Sequence, residues 1–339
     1  MKSKSATLED VARHAGVSYQ TVSRVLNKSA NVSKATRSKV EKSIEELRYV
    51  PNRLAQQLVG KQSRTVGLVT ISLALHAPSQ VAAAVKRYAN VEGYQVLISM
   101  IDESVNQSIQ DSINELKSQL VDKVIINVPL ETEQAQKIAV DNDDIVCLFL
   151  DVDPYSSVFN VSFNPADGTR ASVKYLYEMG HREIAFITGS LDSPTGVERL
   201  SGYKDALARH GIALNNDLIV EGRWTPETGA AGVETLRQRR VGYSALVASN
   251  DDMAVGAMKH LHQIGVKVPE QVSVVGFDDI VLAPYIVPAL SSVKVPVTEM
   301  IKESINRLIF MLDGGDFKFQ QLFPGELIER DSLVPGPHA

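Results

Sequence analysis

The chain has 339 residues, 44% of them apolar, one cysteine, and 40 acidic against 35 basic side chains, a net charge of −5. That length can bury large cores and hold two or three domains, and a single cysteine excludes a disulfide framework within the chain. No run approaches the roughly 18 apolar residues of a membrane span and no signal-peptide apolar region follows the first lysines, so a cytoplasmic protein is expected.

The first elements in chain order are short helices. "TLEDVARHAG" offers Thr7 as an N-cap with Asp10 three residues on, places Leu8, Val11 and Ala12 on one face, and stops at Gly16. "GVSYQTVSRVLN" follows, with Ser18 as a cap. On a wheel of about 100° per residue, Val22, Val25 and Leu26 share one side, and Tyr19, Gln20, Ser23, Arg24 and Asn27 the other. Phenol, amide, hydroxyl and guanidinium groups suit hydrogen bonding to base edges and phosphates, although a polar helix face can also be merely solvated. A third, longer helix is capped by Ser33 and carries Val40, Ile44 and Leu47 at i, i+4 and i+7. Three such helices, two joined by a tight turn, predict a helix-turn-helix domain over residues 1–50. Charge agrees: residues 1–62 hold twelve Lys and Arg against five Asp and Glu, a balance of +7 that leaves −12 for the rest. A basic head on an acidic body suggests a polyanionic partner for the head.

Residues 51–62, within "VPNRLAQQLVGKQS", predict about two turns of helix between Pro51 and Gly60, with Asn52 as a cap. A helix that short is marginal alone, so it is expected to order only against its symmetry mate or DNA. Leu58 at its tip is either a wedge for a minor groove or an incidental linker residue.

From residue 65 apolar runs alternate with amphipathic stretches: "TVGLVTI", "QVLISMI", "DKVIINV", "IVCLFLDV", "EIAFITG", "SALVASN" and "VSVVGFDD". Near-continuous apolar strands between helices indicate parallel sheets covered on both faces. Their number favours an α/β body of two doubly wound subdomains, breaking near residues 153–165. Cys147, inside one of these runs, reads as a small core residue.

In such sheets ligands sit beyond the carboxyl ends of the strands. Those ends hold Asn127, Asp151, Asn250 and Asp278; Arg199 and the only tryptophan, Trp224, lie just past others. Carboxylates, amides, one guanidinium and one flat indole suit a sugar, whose hydroxyls need paired donors and acceptors and whose ring has an apolar face. For each residue alone, helix capping or packing is the simpler account; Asn250 before "DDMA" could be just a cap. No phosphate-loop motif occurs, and "HLH" at 260–262 does not face one way on a helix, so neither an enzyme nor a metal site is indicated.

The head "TLEDVARHAGVSYQTVSRVLN", the hinge "YVPNRLAQQLVGKQS", and then "SLALHAPSQ", "IINVPL", "LFLDV", "DGTR", "LVASNDDMAVGAMK" and "VSVVGFDD" stand in an order by which the chain resembles, from end to end, the lac repressor family of bacterial transcription regulators. The resemblance implies a helix-turn-helix head, a minor-groove hinge helix and a periplasmic-binding-protein-like core. The core would span 63–339, one subdomain at about 63–162 and 293–323, the other at about 163–292 and 324–339. It implies base reading by Tyr19, Gln20 and Arg24, and backbone contacts from Ser18, Thr21, Ser23, Asn27, Ser33 and Thr36. Leu8 and Asn31, with Asn52, Ala55 and Gln56 of the hinge, would add to the DNA contacts, and Leu58 would intercalate. Inducer contacts are implied for Leu75, Ala77, Pro78, Asn127, Asp151, Phe163, Ser193, Arg199, Trp224, Asn250 and Asp278.

The chain departs from the family's namesake at Ile71, where that has a serine, and at Val295 and Val297, where it has a glutamine and a phenylalanine. A small sugar effector is still implied, with a galactoside favoured; another sugar or a purine-type corepressor is the rival within the family. The chain ends at "LVPGPHA", without the leucine-rich helix that joins two dimers, so a homodimer on pseudo-palindromic, lac-like operator DNA is expected, with no cofactor and no catalysis. A transport solute-binding protein would share the core, but it needs a secretory signal and has no use for a basic head.

Overall fold

The structure is a computed structural model that describes residues 6–26, 31–49, 63–101, 107–312 and 320–339. It divides into two units, 1–63 and 64–339. The hinge residues Asn52, Ala55, Gln56 and Leu58, and Asn27, lie outside the described residues.

The head holds α1 (Leu8–Ala15), α2 (Tyr19–Leu26) and α3 (Lys34–Glu46). Thr7 and Asp10 form a reciprocal capping box at the start of α1, and Gly16 ends it at φ 61°, a left-handed conformation that glycine adopts without steric cost. That residue turns the chain directly into α2. Val11, Ala15, Val22, Val25 and Val40 meet in one small core, the spacing of the apolar residues having put them on inward faces.

The body contains two six-stranded sheets. The elements follow as β1 (Thr65–Thr70), α4 (His76–Val91), β2 (Gln95–Met100), α5 (Ile109–Ser118), β3 (Lys123–Asn127), α6 (Thr132–Asp141), β4 (Val146–Phe149) and β5 (Asn160–Phe163). The chain then crosses to the second half with α7 (Pro165–Glu178), β6 (Ile184–Thr188), α8 (Pro194–Arg209), β7 (Ile219–Glu221), α9 (Pro226–Arg239), β8 (Ala245–Ala248), α10 (Asp251–Gln263), β9 (Ser273–Asp278) and β10 (Ser291–Lys294). It returns with α11 (Val297–Leu312) and β11 (Gln320–Phe323), and crosses once more to β12 (Glu326–Ile328).

The first sheet runs β11-β5-β4-β3-β1-β2, parallel throughout; the second runs β12-β10-β9-β8-β6-β7, parallel except for the β10–β12 pair. Each is packed on both faces by apolar clusters, which explains why central strands such as β3 and β6 read as unbroken apolar runs. Cys147 is buried in one of these clusters, and burial pushes its thiol up to about 12, consistent with a packing role. The strand order reverses beside β1 in the first sheet and beside β6 in the second. Loops leaving those reversals diverge and open a crevice, the usual ligand position in such sheets.

Candidate functional site

In the head, Tyr19 is 55% exposed and Gln20 and Arg24 are also exposed, while Val22 and Val25 of the same helix are buried. Ser18 accepts a hydrogen bond from the Thr21 amide at 3.2 Å and pairs with its hydroxyl at 2.9 Å. Ser33 does the same for Thr36, with amide and hydroxyl distances of 3.2 and 2.9 Å. These hydroxyls start α2 and α3, so the first turns of two helices, with their amide groups, lie beside Tyr19, Gln20 and Arg24 in sequence or on the same small unit. Asn31 is exposed and Ser23 half-buried. Leu8 is half-buried and packs against the head's apolar core.

In the body, ten of the eleven residues expected around a small molecule line one cavity of about 150 Å3: Leu75, Ala77, Pro78, Asn127, Asp151, Ser193, Arg199, Trp224, Asn250 and Asp278. The eleventh, Phe163, lines an adjoining lobe of about 140 Å3. The polar groups leave the carboxyl ends of β3, β4, β6, β8 and β9. Asp151 comes from the first half, and it accepts a hydrogen bond from the Thr195 hydroxyl of α8, in the second, at 2.7 Å. This bond runs from one half to the other across the cleft, and the edge-on rings of Phe163 and Phe277 also meet between the halves.

Arg199, 7% exposed, is the cation of the cavity. It donates to the Ser249 carbonyl, reaches Asp278 at 3.5 Å and lies 3.7 Å over the Phe277 ring. Its Nε is buried with no hydrogen-bond partner among the described residues. Burial pulls its pKa below the ordinary value, and the carboxylates of Asp278 and Asp151 act the other way. Asp278 is pushed up to about 6, chiefly by burial, with Arg199 and His76 opposing the shift. Asp151 is also raised by burial. Removing carboxylates from water in a closed space makes each strongly dependent on its remaining partners.

The backbone at the site is shaped for this. Asp278 and Asp279 have φ of 104° and 52°, a left-handed turn rare for non-glycine residues. It is clamped by Asp251, which accepts from the Ile280 amide at 2.8 Å and the Ser292 hydroxyl at 2.6 Å, and by Arg330, 2.6 Å from Asp279. Trp224 also has a positive φ, 68°, and a Cβ on Gly189 would lie 2.0 Å from its indole, so Gly189 makes the space the indole occupies. Asn250 caps α10 by accepting from the Met253 amide at 2.9 Å and donates to the Trp224 carbonyl at 2.9 Å. It holds the tryptophan's loop as well as lining the cavity. Ser193, the N-cap of α8, makes no capping bond through its side chain.

Sequence reading passed over His76, Thr195 and Asp252, which line the same cavity. Each lies in a helix's first turn, four to seven residues past the end of the preceding strand, so a survey of strand ends alone stops short of them. Ile71, and in the second lobe Val295 and Val297, do reach the cavity, so the positions that depart from the family's namesake bear on what fits. Among the described residues, no group of three or more His, Cys, Asp or Glu is placed to hold a metal ion.

Glu198 follows Thr195 by three residues on α8. Burial, then the carboxylates of Asp151 and Asp153, raise it to about 7. A carboxyl whose folded pKa exceeds its unfolded value contributes stability that is fully present below the unfolded pKa and lost as pH rises through the folded one. Glu198→Gln, neutral at every pH, is therefore expected to melt higher than the parent at pH 8 and nearly together with it at pH 5. The gain, discounted for water reaching the group, is about 1 kcal/mol. Thermal melts of both proteins at the two pH values check this, and equal differences at both would contradict it.

A basic helix-turn-helix head on a body of two halves, with a charged cleft between them, is the arrangement of a DNA-binding regulator that carries a small-molecule cavity. The pattern described as "Bacterial regulatory proteins, lacI family" matches residues 7–52, and "Periplasmic binding protein-like domain" matches residues 173–333. The chain is 48% identical to the HTH-type transcriptional regulator AscG of Escherichia coli K12 over 331 residues, covering 97% of this chain and 98% of that one. It is 38% identical to the lactose operon repressor of the same strain, over 98% of this chain and 91% of that one. The solved lac repressor dimer bound to operator and the anti-inducer ONPF superposes with a TM-score of 0.89 at 38% identity, covering 98% of this chain and all of that one. The chain belongs to the lacI family and is a DNA-binding transcriptional repressor of that family. Among the described residues no helix is long and apolar enough to cross a membrane.

Proposed function

We propose that the chain is a homodimeric repressor, acting in the cytoplasm, whose two heads bind half-sites of a pseudo-palindromic operator and which a small sugar in the body's cleft releases. The observation that carries this reading is the pairing, in one chain, of the exposed Tyr19–Gln20–Arg24 face with a cleft that Arg199, Asp278, Asp151 and Asn127 line together with an indole. Sugar hydroxyls are satisfied by carboxylates, amides and a guanidinium, and the indole covers a ring face. The Asp151–Thr195 bond is the contact that a ligand between the halves would bias. The ligand acts by binding one arrangement of the halves better than the other; equal affinity for both would shift nothing. A galactoside is one member of the effector class, and the residues at Val295 and Val297 make the choice of sugar a property of this chain. Exposed Ile98 and Met100 on the edge strand β2, with Val281, Leu282 and Tyr285 after β9, supply apolar surface for the dimer contact.

Arg24→Ala tests the reading face. A bidentate arginine–guanine contact is worth about 1–3 kcal/mol of discrimination, so the variant is expected to lose about ten- to a hundredfold affinity for its operator and much less for a site changed at the contacted base. Equal losses on both sites would assign Arg24 to the phosphates. In the same titrations, release of the parent from operator by a sugar, and none by purines, is the expected response.

A further inference from the structure

The two halves of the body meet at more than the cavity. Asp151, just past the end of β4, accepts the Thr195 hydroxyl of α8 at 2.7 Å, which fixes the first turn of α8 against the first half. Glu198 stands one turn further along α8, and residues three apart on a helix share a face, so Glu198 too lies toward the first half. What meets it there is acidic: Asp151, Asp153 in the loop after β4, and Glu131, the N-cap of α6. Arg199, its neighbour on α8, is the cation that acts on it, and that guanidinium already serves the Ser249 carbonyl and Asp278. Helix α7, packed along α8, directs Arg170 to Asp167 and to Asp205, the latter about two turns beyond Glu198.

An ionised carboxylate offers only acceptors, so an ionised Glu198 faces three more groups that also only accept. Protonated, it loses its charge and gains one O–H to donate. Burial first, then Asp151 and Asp153, raise Glu198 to about 7, which puts the choice between the two forms near neutral pH. When the halves separate, Glu198 returns to water and leaves the facing carboxylates behind. Both causes of the shift are then removed together. The joined arrangement therefore holds the proton more tightly than a parted one, and it loses ground as pH rises through the folded value.

We propose that Glu198, Asp151, Asp153 and Glu131 form a proton-gated joint between the halves, which lie together while Glu198 carries a proton and part when it ionises. Glu198 does not line the cavity, so the joint acts whatever ligand the cleft takes and does not rest on the sugar reading. An effector that needs groups from both halves binds the joined form better, and pH then sets how much of it is required.

The single tryptophan reports on the joint, because Trp224 of the second half lines the cleft together with Leu75, Ala77 and Pro78 of the first. Its emission is recorded for the ligand-free full chain between pH 6 and pH 8 at low ionic strength. With Glu198 at about 7 when joined and at its ordinary 4.5 when parted, the ratio of parted to joined molecules is expected to rise about tenfold across that range. The emission is expected to move to longer wavelength and to become more open to acrylamide quenching. Glu198→Gln, neutral throughout, is expected to keep the pH 6 spectrum at both ends. Asp153→Asn retains the acceptor that the Tyr155 amide uses at 2.9 Å and removes one facing charge, so its shift is expected to be smaller than the parent's. An emission that does not move in the parent would overturn the joint. So would a shift of parental size in Glu198→Gln, given parental melting at pH 5, or one of parental size in Asp153→Asn.

Discussion

Arg199→Met is expected to abolish response to the effector and to make stability more sensitive to pH than the parent's. Methionine replaces the volume of the guanidinium stem but leaves Asp278 without its cation in a site where Asp278 already sits at about 6 and Asp251 at about 8, both raised first by burial. Breaking a buried pair by removing one partner typically costs about 3–5 kcal/mol, because the surviving charge stays uncompensated. Here the loss has an escape, since Asp278 can take up a proton and become neutral. A carboxyl raised still further is stabilising in its protonated form, and that contribution disappears as pH rises through its folded value. The variant should therefore lie closest to the parent near pH 5–6 and fall well below it at pH 8. Operator binding, which depends on the head, should persist while no sugar releases it. Melts at pH 6 and 8, with operator titrations in the presence and absence of a glycoside, check both halves of this expectation. A parental melting profile at both pH values, or normal release, would remove Arg199 from the centre of the site.

The strands that sequence reading located are those whose own composition declares them: β1, β3, β4, β6, β8 and β9 are apolar runs because both of their faces are covered, and β2, at the sheet edge, is apolar although Ile98 and Met100 are exposed. The ones it did not separate are short. β5 is "NVSF", β7 "IVE", β10 "SSVK", β11 "QQLF" and β12 "ELI", three or four residues each, and β5 and β10 carry polar groups at buried positions. Those polar groups are satisfied by tertiary partners that local sequence does not reveal. Ser162 donates to Asn160, Ser292 to Asp251, and Ser291 accepts from the Arg330 amide. The site was legible to a greater degree because fold topology fixes where strand ends point, so Asn127, Asp151, Asn250 and Asp278 could be gathered without knowing any contact. Left-handed backbone at Trp224 and Asp278, and the hollow made by Gly189, are consequences of loop closure and have no periodic signal. Residue-level roles were least legible where one side chain does two things: Asn250 is both cap and lining, and Leu8, expected near DNA, contributes to the head's core.

Val22→Asp is expected to separate the chain's two activities. Val22 is fully buried in the head at the heart of a cluster whose other buried members are few: Val11, Ala12, Ala15, Val25, Val40 and Tyr49. A unit of this size has little stability to spare, since small domains bury a smaller fraction of their surface. Aspartate is smaller in volume than valine, so the change overpacks nothing; its main cost is a carboxylate removed from water with no cation in the cluster to meet it. Burying an unpaired polar or charged group lies at the severe end of point substitutions, about 3 kcal/mol or more, enough to unfold a head of this size. Tyr19, Gln20 and Arg24 are held in place only through the helix that Val22 anchors, so operator affinity should fall by at least a hundredfold. The body forms its own compact unit from residue 64 onward, and its clusters contain no head residue. Its main thermal transition and its glycoside binding should therefore remain those of the parent. Operator titration alongside calorimetric melting and ligand titration of the same preparation measures each part separately. Operator affinity within a factor of two of the parent would show that the head tolerates the charge, whereas loss of glycoside binding along with operator binding would show that the body depends on the head's fold.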